Sequence, residues 1–150
     1  MNLKQLLDQK DPTVFSIEEN SSLCECIKLL NDKNIGALVV VNRQNKICGI
    51  VTERDVLRLT YSSPVNVCSV LVKDAMTARD KLVTAEETDS LTQIMETMTA
   101  KRIRHIPVLK DGEICGIVSI GDVVKFLLGM LMDENKEYGL IARLPRNNPS

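Results

Sequence analysis

Five residues recur letter for letter: Ile47-Cys48-Gly49-Ile50-Val51 returns 67 residues later as Ile114-Cys115-Gly116-Ile117-Val118. The match runs on through Thr52 against Ser119 and Asp55 against Asp122. Upstream, Ile35-Gly36-Ala37-Leu38-Val39-Val40 aligns with Ile103-Arg104-His105-Ile106-Pro107-Val108 at an offset of 68, so the second copy has lost one residue in the intervening turn. A repeat of this length that occurs twice predicts two similar half-domains packed on each other rather than a solenoid.

Each copy carries the same order of elements. A short β segment (Val14 to Ile17, then Leu82 to Ala85) precedes an amphipathic helix. In the first copy Ser22 and Glu25 have capping-box spacing, and Leu23, Cys26, Ile27, Leu29 and Leu30 fall on one helical face. Leu91, Ile94, Met95 and Met98 are their counterparts. Two strands follow, Ala37 to Val41 and Ile47 to Val51 in the first copy. The second copy joins its strands through Lys110-Asp111-Gly112-Glu113, where Asp-Gly signals a hairpin. The run Leu38 to Val41 predicts a strand buried on both faces. Thr52 and Ser119 stand where a strand hands over to a helix, as N-caps do. The expected fold is α/β (α+β), two β-α-β-β-α motifs related by a pseudo-two-fold. Residues 1–10 read as a leading helix, 11–61 as motif one, 62–73 as a linker, 74–132 as motif two and 133–150 as a frayed tail.

Composition narrows the function. Aromatics are 3% of the 150 residues and Trp is absent, so the stacking platforms of single-stranded nucleic-acid binders are missing. Net charge is −1 with Lys and Arg scattered, which argues against a nucleic-acid partner. No apolar run approaches the roughly 20 residues of a membrane span. Five dispersed Cys and no secretory signal read as reduced thiols in a cytoplasmic protein. Within the helix, Cys24 and Cys26 divide into one core residue and one incidental surface thiol. Neither Gly-x-Gly-x-x-Gly nor Gly-x-x-x-x-Gly-Lys-(Ser/Thr) occurs, and one histidine cannot build a multi-His metal site. No nucleophile, base and orienting acid assemble by spacing, so the expectation is no enzyme, no catalytic residues, no metal and no tightly bound cofactor.

The doubled Gly-Ile-Val-(Thr/Ser)-x-x-Asp element within β-α-β-β-α resembles the cystathionine β-synthase (CBS) domain pair, the Bateman module, over roughly residues 10 to 130. The quoted segments look like stand-alone pairs, with no enzyme domain attached. The resemblance implies a small-molecule adenylate ligand (AMP, ATP, NAD or S-adenosylmethionine), a homodimer, and regulation of a separate protein partner. It also implies site residues. Asp55 and Asp122 hold the position of a ribose-binding carboxylate; by spacing, each equally completes a helix cap. Thr52 and Ser119 serve as caps that could also meet ribose or phosphate. Arg104 and His105 form the phosphate-facing strand edge, although strand alternation lets at most one point directly into a given pocket. Arg54 reads either as a ligand contact or as a solvated helix residue. Adenine would lie near Thr13, Val14 and Ile35 in one cleft, or near Leu82, Val83 and Ile103 in the other. Gly36 and Ala37 bring no charge to the place that Arg104 and His105 occupy, so the clefts should differ. The better one is expected to combine Thr52, Arg54 and Asp55 with Arg104 and His105. The alternative is a dimerisation scaffold whose clefts are degenerate.

Overall fold

The computed structural model describes residues 1–62 and 66–137. It opens with helix α1 (Leu3–Asp8), whose N-cap Asn2 and Gln5 form a reciprocal capping box. Motif one follows as β1 (Ser16–Glu18), α2 (Leu23–Lys33), β2 (Ala37–Val41), β3 (Ile47–Thr52) and α3 (Glu53–Ser62). A short helix α4 (Val72–Ala75) and strand β4 (Thr77–Ala78) lead into β5 (Ala85–Glu86), α5 (Leu91–Lys101), β6 (His105–Lys110), β7 (Glu113–Ser119) and α6 (Ile120–Glu137).

One sheet has the order β1-β2-β3-β4, the other β5-β6-β7. In each, the first strand runs parallel to the next and the hairpin is antiparallel, as the crossover helix requires. The repeat is legible in the backbone itself. Register shifts fall at Val40/Val41 and at Val108/Leu109. Helices α2 and α5 both stop on a left-handed residue, Asn34 at φ 53° and Arg102 at φ 54°. Leu38, Val39 and Val40 are fully buried, which fits the two-sided run in β2, but Val41 at its end is only partly buried.

Two hydrophobic clusters form, one per motif, and each borrows from outside its own repeat. Leu3 and Leu6 of α1 pack into the core of the second motif, with Val123 and Phe126 of α6. Val72 of α4 packs into the core of the first. Paired backbone contacts fix this exchange: Asn2 bridges Ser90, and Leu71 bridges Ser22. The matching glycines of the repeat permit it. A Cβ on Gly116 would come within 2.8 Å of Leu7 Cδ2, and one on Gly49 within 2.4 Å of the Thr77 carbonyl.

Several expectations need correction. The end of the presumed linker is structural: Val72 is fully buried, and the Val72 and Lys73 N–H groups donate to the Ser21 and Glu19 carbonyls. Residues 63–65 of that linker, and the expected tail from 138 on, lie outside the described residues. Helix α6 continues through Glu137, past the point where the sequence turns polar. The leading strands are Ser16–Glu18 and Ala85–Glu86, one or more residues later than the sequence suggests, because pairing with β2 and β6 selects them. Met95 is not a core residue: it is 36% exposed, while Leu91, Ile94 and Met98 supply the buried face of α5. Cys24 is no free thiol but is joined to Cys68 in a disulfide. The Leu23 N–H donates to the Val70 carbonyl at 2.8 Å, which holds the start of α2 beside the Cys68 segment. Cys26 is fully buried, and its thiol is pushed up to about 11 by burial.

Candidate functional site

The ends of β3 and β7 are built alike. The Thr52 N–H and Oγ1 donate to Asp55 Oδ2 at 2.9 and 3.1 Å, and the Asp55 N–H returns a bond to Thr52 Oγ1 at 3.3 Å. In the second copy the Ser119 N–H donates to Asp122 Oδ2 at 2.9 Å, and the Asp122 N–H donates to Ser119 Oγ at 3.0 Å. Both carboxylates therefore complete a helix cap, one of the two roles open to them. Capping occupies Oδ2 and leaves the remaining acceptor capacity of Asp55 for a ligand.

A cleft of about 520 Å³ opens where motif one meets the start of β6, within the size range of small-molecule sites. It brings together Thr52, Arg54 and Asp55 from the first motif with Leu82, Val83, Ile103, Arg104 and His105 from the second. Arg104 and His105 both line it; β6 begins only at His105, so strand alternation does not govern the residue before it. Arg54 is exposed yet tethered: its Nη1 donates to the Arg102 carbonyl at 3.0 Å, linking the two motifs across the cleft.

Reasoning from sequence missed much of the cleft's charge. Arg58, Lys81 and Lys101 also line it, and with Arg54, Arg102 and Arg104 they set six cationic side chains against Glu53 and Asp55. Arg58 stands one helical turn beyond Arg54, a spacing that could have flagged it. Lys81 and Lys101 had no local signal. Such an excess of positive charge between low-dielectric walls favours an anionic ligand. His105 adds little to that field. Burial lowers its pKa from the ordinary 6.5, although Asp122 and Glu53 pull it upward, so at neutral pH it is an uncharged donor and acceptor.

The other cleft is different. It measures about 260 Å³ and is lined by Thr13 and Val14 but by neither Ile35, Ser119 nor Asp122. Ile35 instead packs against the core of motif one. Its charges are balanced, Lys4, Lys10 and Lys110 against Asp8, Asp11 and Glu87. Ion pairs join Lys4 to Asp8 at 3.0 Å and Lys110 to Glu87 at 3.2 Å. The described residues hold no cluster of His, Cys, Asp and Glu that could bind a metal ion, and no helix among them is long and apolar enough to cross a membrane.

Two β-α-β-β-α motifs that exchange their leading helices, with a cleft at the β3–α3 junction, define a paired α/β module by class. The chain belongs to the CBS-domain family, whose model matches residues 9–61 and 72–129. It is 42% identical over 108 residues to the CBS domain-containing protein CBSX3, mitochondrial, of Arabidopsis thaliana, covering 71% of this chain and 52% of that one. The chain thus spans about half of that relative. An uncharacterized 17.7 kDa protein of Acidianus ambivalens is 34% identical over 137 residues, covering 86% and 80% of the two chains. Among solved structures, the CBS-domain containing protein ATU1752 from Agrobacterium tumefaciens superposes with a TM-score of 0.78 at 36% identity, over 83% of this chain and 91% of that one. The CBS domain pair of protein MJ0100 shares the fold, with a TM-score of 0.71 at 23% identity over 85% and 99% of the chains.

Proposed function

We propose that the chain is a non-catalytic regulatory module that binds a phosphate-bearing adenine nucleotide in the first cleft and passes the bound state to a separate partner protein. The observation that carries this is the union, in one cleft, of the Thr52–Asp55 pair with six cationic side chains. Asp55 would accept hydrogen bonds from the ribose hydroxyls, a charge-assisted arrangement. Arg104, His105 and the neighbouring lysines would face the phosphates, and Leu82, Val83 and Ile103 the base. The MJ0100 domain pair is described in complex with 5-methylthioadenosine and S-adenosyl-L-methionine. Here the positive field favours AMP, ATP or NAD over that sulfonium cation. The same reading keeps 11–61 and 74–132 as the two motifs. It places the module in the cytoplasm, where the Cys24–Cys68 bond would be exposed to reduction.

Thermal melting with AMP, ATP, NAD and S-adenosylmethionine tests the reading. A ligand at a hundredfold excess over its Kd adds about 2.7 kcal/mol, a rise of several degrees in Tm. The expected result is a rise with a phosphorylated adenylate that Asp55→Asn and Arg104→Ala each reduce. No rise with any of the four would remove the nucleotide and leave the scaffold reading.

That second reading has its own support. Leu57 and Tyr61 on α3 are 68% and 95% exposed, and Val124, Leu128 and Leu131 on α6 are 48%, 45% and 55% exposed. Apolar side chains gathered on two helices are the mark of an association surface, and we propose a homodimer through it whether or not the cleft is filled.

A further inference from the structure

Asp122 repeats the position of Asp55, but its carboxylate is already engaged. Lys10 Nζ lies 2.6 Å from Asp122 Oδ2 and also donates to the Ile117 carbonyl at 2.7 Å. The two side chains are 31% and 28% exposed, too sheltered for water to dissolve the pair. Burial pushes the Asp122 pKa up, yet the Lys10 bond and charge and the Ser119 N–H outweigh it and hold the carboxyl below its ordinary value. In the first cleft, Asp55 takes part in no ion pair among the described residues. At the offset of 68 that holds upstream of the turn, Lys10 aligns with Ala78, and Arg79 is the next residue. Ala78 has no charge, and Arg79 Nη1 donates instead to the Ile47 carbonyl.

We propose that Lys10 determines the stoichiometry of the module: its ammonium takes the place of a ribose on Asp122 and walls that carboxylate off from the second cleft, which Lys10 lines and Asp122 does not, so the chain binds one adenylate rather than two. The proposal rests on the reading of Asp55 as a ribose carboxylate. A ribose hydroxyl that displaced Lys10 would replace an ion pair with a bond charged on one side only, and would leave the ammonium with the Ile117 carbonyl alone. Lys10 is also tethered. Helix α1 is anchored by Leu3 and Leu6, which are 0% and 2% exposed, and Leu7 closes over Gly116. A short tether of this kind sets an effective concentration on the order of millimolar, against which free nucleotide must compete. Lys10 belongs to neither hydrophobic cluster, so its removal should leave the fold intact.

The test is calorimetric titration of the full chain with ATP and, separately, with adenosine, which needs only the base and ribose contacts. The wild type should bind one ligand per chain, and Lys10→Ala should gain a second event. The double variant Lys10→Ala with Asp55→Asn should retain the newly opened site. Lys10→Met, which keeps the apolar stem, repeats the comparison if Lys10→Ala melts early. Two events in the wild type would overturn the proposal, because Lys10 would then yield to ligand. A single event in folded Lys10→Ala and Lys10→Met would overturn it too, while leaving the first cleft standing. No binding by wild type or variants would instead remove the adenylate reading and take this one with it.

Discussion

Gly36 and His105 meet where the two motifs face each other. A Cβ on Gly36 would come within 3.1 Å of His105 Cε1 and 3.2 Å of Nε2, so the missing side chain is what lets the imidazole sit there. Burial is the main cause of its lowered pKa. Lys10 and Arg104 add to the lowering, whereas Asp122 and Glu53 oppose it. The consequence for stability has a definite sign. Folded His105 gives up its proton below the ordinary 6.5, so between the two values the unfolded chain binds more protons. Stability is therefore complete above that pH and declines below it, by at most about 1.4 kcal/mol per pH unit for one proton. Urea unfolding at about pH 7.5 and about pH 5.5 checks this. The wild type should lose stability at the lower pH, and His105→Asn should lose less. An equal loss in both would assign the effect to other groups.

At the scale of elements, the sequence was readable where local pattern and tertiary need agree. Strands β2 and β3 carry long β-branched runs, and they form at Ala37–Val41 and Ile47–Thr52. Strands β1 and β5 are two or three residues long, too short for periodicity to position, so only pairing locates them. Strand β4 has no signal of its own, since it exists because Gly49 lets Thr77 approach. The site divides the same way. Asp55 and Asp122 were visible through the repeat, whereas the Lys10–Asp122 contact spans 112 residues and no local rule anticipates it. The Cys24–Cys68 bond is a similar long-range contact, closing a separation of 44 residues between α2 and the segment before α4. Chain entropy puts the effect of such a loop at about 4 kcal/mol, with measured values commonly about 2 to 4. Dithiothreitol should accordingly lower the Tm of the wild type and leave that of Cys24→Ser with Cys68→Ser unchanged. A wild-type Tm that ignores the reductant would show that the bond contributes nothing to stability.

For the molecule as a whole, the exchange of leading helices makes one body of two motifs that are each too small to bury a sheet. Leu3 and Val72 are both fully buried, each in the core of the motif it does not precede in sequence. Outside both cores, α3 and α6 each carry exposed apolar side chains. Val124, Leu128 and Leu131 follow one another at helical spacing and are roughly half exposed, and their inner neighbours Val123 and Phe126 already serve the core. An apolar stripe of this kind in water favours self-association through the area it would bury. A charge placed in its middle would have to be desolvated without a partner, which costs far more than it disturbs an exposed helix surface. Leu128→Glu combined with Leu131→Glu should therefore shift the chain from dimer to monomer in sedimentation while its helical circular dichroism persists. Nucleotide binding should survive in that monomer, because the Thr52–Asp55 pair and the cationic residues of the first cleft already meet within one chain. A wild type that sediments as a monomer would sink the dimer. Loss of binding together with the dimer would mean that the second copy completes the cleft.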